Sequence, residues 1–172
     1  MRIATWNVNS IRSRIDRVEA WLARSEVDVL AIQETKAKDE QFPSDRFRAL
    51  GYEVAHHGVN HWNGVAIVSR VGIEAVQRGF RGHQEPPFDE PRFIGARCGG
   101  TQVANVYVPN GRSLDDAHYL YKLVWLERLR AELLLAGDLD TDLIVVGDFN
   151  VAPTDADIYD PSRWRRRTHA SA

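Results

Sequence analysis

Ile11, Ile15, Val18 and Leu22 recur at steps of four, three and four, which sets them on one face of an amphipathic helix. Two apolar runs of strand length flank that helix, at 2–6 and 27–33. Between the first run and the helix, Asn7-Val8-Asn9-Ser10 is turn-like, and Asn9 or Ser10 supplies a helix cap. Strand, helix and strand in this order predict a β-α-β unit, with parallel strands and a right-handed crossover.

The middle of the chain is strand-rich. Segments 52–57, 64–69 and 73–78 alternate like strands, and 79–91 is a polar loop containing Pro86, Pro87 and Pro91. Segments 92–98 and 101–108 flank Gly99-Gly100, a hairpin signal. Pro109-Asn110-Gly111 then breaks the strand. A helix is predicted over 115–135, with Leu120, Leu123, Val124, Leu126, Leu129 and Leu133 as its apolar positions. A buried strand over 143–147 ends at Asp148. No internal repeat, low-complexity tract or linker interrupts the 172 residues, and one domain is expected over 1–172.

Composition narrows the class without naming a function. With 44% hydrophobic and 27% charged residues and a net charge of −2, the chain is neither a disordered tail nor a polycation. Cys98 has no second cysteine to pair with, the first residues lack a signal-peptide layout, and no apolar run approaches the ~18 residues of a membrane span. A reducing, cytoplasmic setting with no membrane partner is expected. Charge is uneven: seven Asp and no Lys or Arg lie in 137–160, and then Arg163, Arg165, Arg166 and Arg167 follow. From charge alone these read as two solvated segments.

The chemistry-bearing residues sit at strand ends. Asn7 follows the first strand, Glu34 the second, Tyr107 a later one, and Asp148-Phe149-Asn150 the last. Ligands of open α/β sheets gather outside the carboxyl ends of strands. Each residue alone has an ordinary explanation: a turn former, a surface carboxylate, a packing tyrosine or an Asx turn. Together they offer oxygen donors of the kind Mg²⁺ takes. The six His residues have no cysteine partners to form a zinc site.

Five blocks then occur in a telling order: Trp6-Asn7-Val8-Asn9-Ser10-Ile11-Arg12, Gln33-Glu34-Thr35-Lys36, Asn63-Gly64-Val65-Ala66, Tyr107-Val108-Pro109-Asn110-Gly111, and Gly147-Asp148-Phe149-Asn150-Val151-Ala152-Pro153-Thr154-Asp155. In these the chain resembles the bacterial exodeoxyribonuclease III family of the endonuclease/exonuclease/phosphatase superfamily. The resemblance implies an α/β fold, the DNase I-like four-layer α-β-β-α sandwich. It implies a metal site of Asn7, Glu34, Asp148 and Asn150 that takes Mg²⁺, or Mn²⁺ in its place. Asp148 would orient or deprotonate the attacking water, and Tyr107 and Asn150 would hold the scissile phosphate. Arg112 and Trp62 match loop positions that approach DNA in relatives. The implied activity is hydrolysis of phosphodiester bonds at abasic sites and from 3′ ends of double-stranded DNA.

Relatives continue beyond the position of Ala172 to a closing Ser-Asp-His motif that has no counterpart here. The resemblance therefore implies that most of the second sheet and part of the site are lacking, leaving an uncovered inner sheet face and little nuclease activity. A full-length form is expected to be a monomer, and the shorter chain to self-associate. His169 is expected to be solvent-exposed and no substitute for the missing histidine. Two other functions fit the residues: a phosphodiesterase or phosphatase of the same superfamily acting on a small molecule or lipid headgroup, and a non-catalytic module binding DNA or protein.

Overall fold

In the computed structural model, the described residues are 1–82, 89–136, 142–164 and 167–170. Strand β1 (Ile3–Asn7) leads into helix α1 (Ile11–Ser25) and then strand β2 (Val29–Gln33). All four residues of the expected helix face, Ile11, Ile15, Val18 and Leu22, are buried. A short helix α2 (Ser44–Ala49) precedes β3 (Glu53–His57), β4 (Val65–Ser69), β5 (Glu74–Arg78), β6 (Phe93–Cys98) and β7 (Thr101–Tyr107). Helix α3 (Ala117–Ala136), strand β8 (Leu143–Asp148) and the one-turn helix α4 (Pro161–Trp164) complete the order.

The strands form two four-stranded sheets, β1-β2-β4-β3 and β5-β6-β7-β8. β1 and β2 run parallel, with Asn7 opposite Gln33, and β7 and β8 run parallel, with Tyr107 opposite Asp148. The Gly99-Gly100 turn joins β6 to β7 as a hairpin, Cys98 opposite Thr101.

Alternation along the strands divides the core into three layers. Leu30, Ile32, Ala66 and Val68 pack outward with the α1 face. Val29, Val65 and Ile67 face inward and meet Ile94, Ala96, Cys98 and Val103 of the second sheet. Phe93, Ala104 and Val106, on the far side of that sheet, meet Trp125 and Leu129 of α3. Helix, sheet, sheet and helix are thus stacked in the expected order.

Two expectations need correction. Among the described residues the second sheet has four strands, and its residues cover the inner face of the first along β2 and β4, while Thr5 of β1 and Ile144 of β8, on the edge strands, stay exposed. The face of α3 is also not the one the leucines mark. Leu120, Leu123 and Val124 are exposed, while Lys122, Trp125, Leu129, Glu132 and Ala136 are buried. Leucines lie all round this helix, so its periodicity does not select a side. The two buried charges are held by groups far away in sequence, Glu132 by Gln77 and Arg81 and Lys122 by Asn150 and Thr168. Of the uneven charges, Asp138, Asp140, Arg165 and Arg166 lie outside the described residues, as do residues 83–88 of the proline-containing loop. Among the described residues no helix is long and apolar enough to cross a membrane.

Candidate active site

The parallel pairs bring the ends of β1, β2, β7 and β8 to one edge of the stacked sheets. A buried amide pair sets the two sheets against each other there. Asn105 on β7 donates through Nδ2 to Ile32 O at 2.9 Å and Ala66 O at 2.8 Å, and accepts from Gln33 Nε2 at 2.6 Å. Gln33 precedes Glu34 and Asn105 lies two residues before Tyr107, so the pair registers the two strand ends that carry polar side chains.

Glu34 stands in a tightly built turn, at φ 52°. The start of α1 closes on it: Ser10 N donates to Glu34 O at 2.7 Å, and Ile11 N to Thr35 O at 3.0 Å. No side-chain cap bond forms at Ser10, because these carbonyls take the place of a cap. From the other side, Thr35 N donates to Gly64 O and Lys36 N to Asn63 O. Gly64, at φ +90°, permits this approach, since a Cβ there would lie 2.1 Å from Thr35 Oγ1. Beneath the turn, buried His56 places Nε2 2.8 Å from Thr35 Oγ1 and Nδ1 2.8 Å from Asp39 Oδ1. Burial pushes the His56 pKa down to about 4, against the pull of Asp39.

Five side chains converge. Asn7 Nδ2 donates to Glu34 Oε1 and to Asp148 Oδ2, both at 2.8 Å. The Tyr107 hydroxyl donates to the same Glu34 oxygen at 3.0 Å. Lys36 Nζ lies 3.0 Å from the other, Oε2. Burial works to raise the Glu34 pKa, but the bonds from Asn7, Lys36 and Tyr107 outweigh it and hold the carboxyl below its ordinary range. Burial and the neighbouring Glu34 charge push the Tyr107 hydroxyl up to about 12, so it stays a phenol.

Asn150 joins this set through its main chain. Its N–H donates to Asp148 Oδ1 at 3.1 Å, while its Nδ2 donates to Val108 O at 2.8 Å. His169 is half-buried rather than exposed, with Nε2 3.0 Å from Asn150 Oδ1 and its ring edge-on to Trp164. Asp148, Asn150, Trp164 and His169 line a cleft of about 480 Å³. Trp62 and Arg112 stand outside the convergent set. Trp62 is 62% exposed in the loop before Asn63, and Arg112 bonds back to Asn110 and pairs with Asp116 at 3.8 Å.

Several supporting residues give no local signal in the sequence. Buried Arg92 sets its guanidinium 4.6 Å over the Tyr107 ring and binds Glu90 at 2.6 Å, while Glu90 also accepts from Asn63. The only trace of Gln33 and Asn105 in the sequence is an amide inside an apolar strand.

Among the described residues no three His, Cys, Asp or Glu side chains converge as a metal cluster. The donors here are two carboxylates joined by one amide. That set suits a hard cation that keeps most of its waters and is held by one or two carboxylates.

A family model, that of the endonuclease/exonuclease/phosphatase family, matches residues 4–171. The chain belongs to this family. It is 31% identical to exodeoxyribonuclease III of Haemophilus influenzae, an alignment that covers 96% of this chain and 65% of that protein. An exodeoxyribonuclease of Bacillus subtilis is 29% identical, with 96% and 64% covered. Among solved structures, an AP endonuclease from Archaeoglobus fulgidus superposes with a TM-score of 0.92 at 41% identity, covering 98% of this chain and 65% of that one. The 3′-5′ exonuclease NExo from Neisseria meningitidis superposes at 0.93 and 37% identity, and a Neisseria NExo described as a 3′ phosphatase was solved with a product DNA hairpin. The chain thus spans about 65% of the length of these relatives. The fold is the DNase I-like sandwich of the family.

Proposed function

We propose that this chain carries the metal-binding half-site of a Mg²⁺-dependent DNA-repair nuclease, one that hydrolyses phosphodiester bonds at abasic sites and 3′ ends of duplex DNA. One observation carries the reading. The Asn7 amide bridges Glu34 and Asp148, carboxylates from strand ends of two different sheets, with the Tyr107 phenol on the same Glu34 oxygen.

Glu34 and Asp148 would hold Mg²⁺, with Asn7 beside them and Asn150 at the rim. When bound, the ion offsets charge developing on the phosphate and the leaving oxygen. The chain's own groups divide the remaining work. Asp148 accepts a hydrogen bond from the attacking water and takes its proton. Tyr107, held as a phenol, turns its single hydroxyl hydrogen from Glu34 to a phosphate oxygen. Asn150 has a second amide hydrogen beyond the one given to Val108 O, and it donates this to the same phosphate. Trp62 and Arg112, both exposed on neighbouring loops, meet the duplex. Their contacts, like most with phosphates, weaken as salt rises.

Titration with Mn²⁺, followed by NMR of the 172-residue chain, tests the core of the reading. The amide signals of Glu34, Thr35 and Asp148 should broaden first, and Glu34→Gln should abolish that selectivity while core amides keep their shifts. Equal broadening at unrelated acidic residues, with Glu34 unaffected, overturns it. A Mg²⁺-dependent preference for inositol phosphates over abasic duplex DNA would overturn the substrate assignment and leave the metal site standing.

A further inference from the structure

Lys122 of α3 is 1% exposed. Burying a charge costs several kcal/mol unless its hydrogen bonds are replaced. Here they go to two main-chain carbonyls: Nζ donates to Asn150 O and to Thr168 O, each at 2.6 Å. The stem of the same side chain packs under the loop after β7, where a Cβ added at Gly111 would lie 3.2 Å from Lys122 Cδ and 3.1 Å from Thr168 Cβ. A single ammonium thus ties together the loop that follows Tyr107, the turn that follows Asp148, and the segment at Thr168-His169.

Asn150 is held at φ 49°, in the left-handed region. Its other bonds run to Asp148 Oδ1, Val108 O, His169 Nε2 and Asn110 Nδ2. The Lys122 ammonium holds its carbonyl. We infer that Lys122 is a positioning residue, whose charge locks the Asp148–Asn150 turn so that the carboxylate and the amide share one face. The inference rests on the reading that this face meets the phosphate, but the locking itself can be measured without metal or DNA. An apolar residue would fill the space more cheaply and leave two carbonyls orphaned.

Hydrogen exchange of the labelled 172-residue chain tests it. In Lys122→Met, exchange at Asn150 N–H, Asn150 Nδ2–H and Ala152 N–H should quicken about tenfold or more, while Leu30 and Ile67 amides keep their protection. Ala152 is included because its N–H donates to His169 O at 2.8 Å. Glu132→Gln is the control, a buried charge on the same helix bound to Gln77 and Arg81 instead. It should lower the melting temperature and leave the Asn150 signals unchanged. Should Lys122→Met fail to fold, Lys122→Gln, which keeps N–H donors on a shorter, neutral side chain, should give a smaller acceleration at the same three sites. Unchanged Asn150 exchange in a folded Lys122 variant, or equal acceleration in Glu132→Gln, overturns the inference. A flat Mn²⁺ titration of the parent, with the Lys122 effect intact, would instead defeat the nuclease reading alone.

Discussion

Replacing Asn105 by leucine removes the buried amide that registers the two sheets and keeps the branched side-chain skeleton. Three hydrogen bonds disappear, to Ile32 O, Ala66 O and Gln33 Nε2. Gln33 loses least, because Thr5 Oγ1 at 2.9 Å and Ala31 O at 3.2 Å remain as acceptors for its amide. Ile32 and Ala66 lie opposite each other in paired inner strands and are fully buried, so water cannot reach the carbonyl lone pairs that Asn105 leaves. At about 1–1.5 kcal/mol for each under-satisfied group, plus a smaller share for Gln33, the cost is about 2–4 kcal/mol. For a chain of this size that corresponds to a melting temperature lower by about 5–15 °C, read by circular dichroism. Gln33→Leu on top of Asn105→Leu removes both amides, so the double variant should lose at least about 1 kcal/mol less than the sum of the singles. A melt within about 2 °C of the parent for Asn105→Leu, or strict additivity in the double variant, would refute the idea that this pair aligns the sheets.

Two further outcomes follow from the turn beneath Glu34. Gly64→Ala meets both a φ of +90° and a Cβ 2.1 Å from Thr35 Oγ1, so it should cost about 1–3 kcal/mol and shift the Thr35 and Glu34 amide resonances, whereas Gly51→Ala, at φ +82° in open space, should leave those resonances in place. His56, with its folded pKa lowered to about 4, binds a proton in the unfolded chain before it does in the folded one. Stability should therefore fall as pH drops from about 6.5 toward 4, and His56→Phe should flatten that limb of the denaturation curve; an unchanged limb would rule out His56 as its source.

Much of the fold was legible because apolar runs and turn residues agree. The eight strands begin and end within one or two residues of their patterned segments, since each is bounded by Gly, Pro, Asn or a charged residue. The convergence at the site was legible as strand-end positions of Asn7, Glu34, Tyr107 and Asp148. What could not be read depends on partners distant in the chain. Lys122 and Glu132 look like solvent-facing charges until Asn150, Thr168, Gln77 and Arg81 are placed around them. α2 spans six residues, too few for a helical period to declare itself. His169 follows a run of arginines and reads as exposed, yet the loop carrying it folds back onto Asn150.

Among the described residues, nine non-glycine positions adopt positive φ, and seven of them — Asn9, Ser10, Glu34, Lys36, Asn63, Arg112 and Asn150 — cluster around the strand ends described above. Left-handed backbone of this kind rejects branched side chains and tolerates asparagine, aspartate and glycine. A combinatorial library built at these seven codons would thus be filtered twice, by main-chain geometry before any test of chemistry. Most of its survivors would be unbranched at Cβ, as all seven residues here are, whatever reaction was selected for.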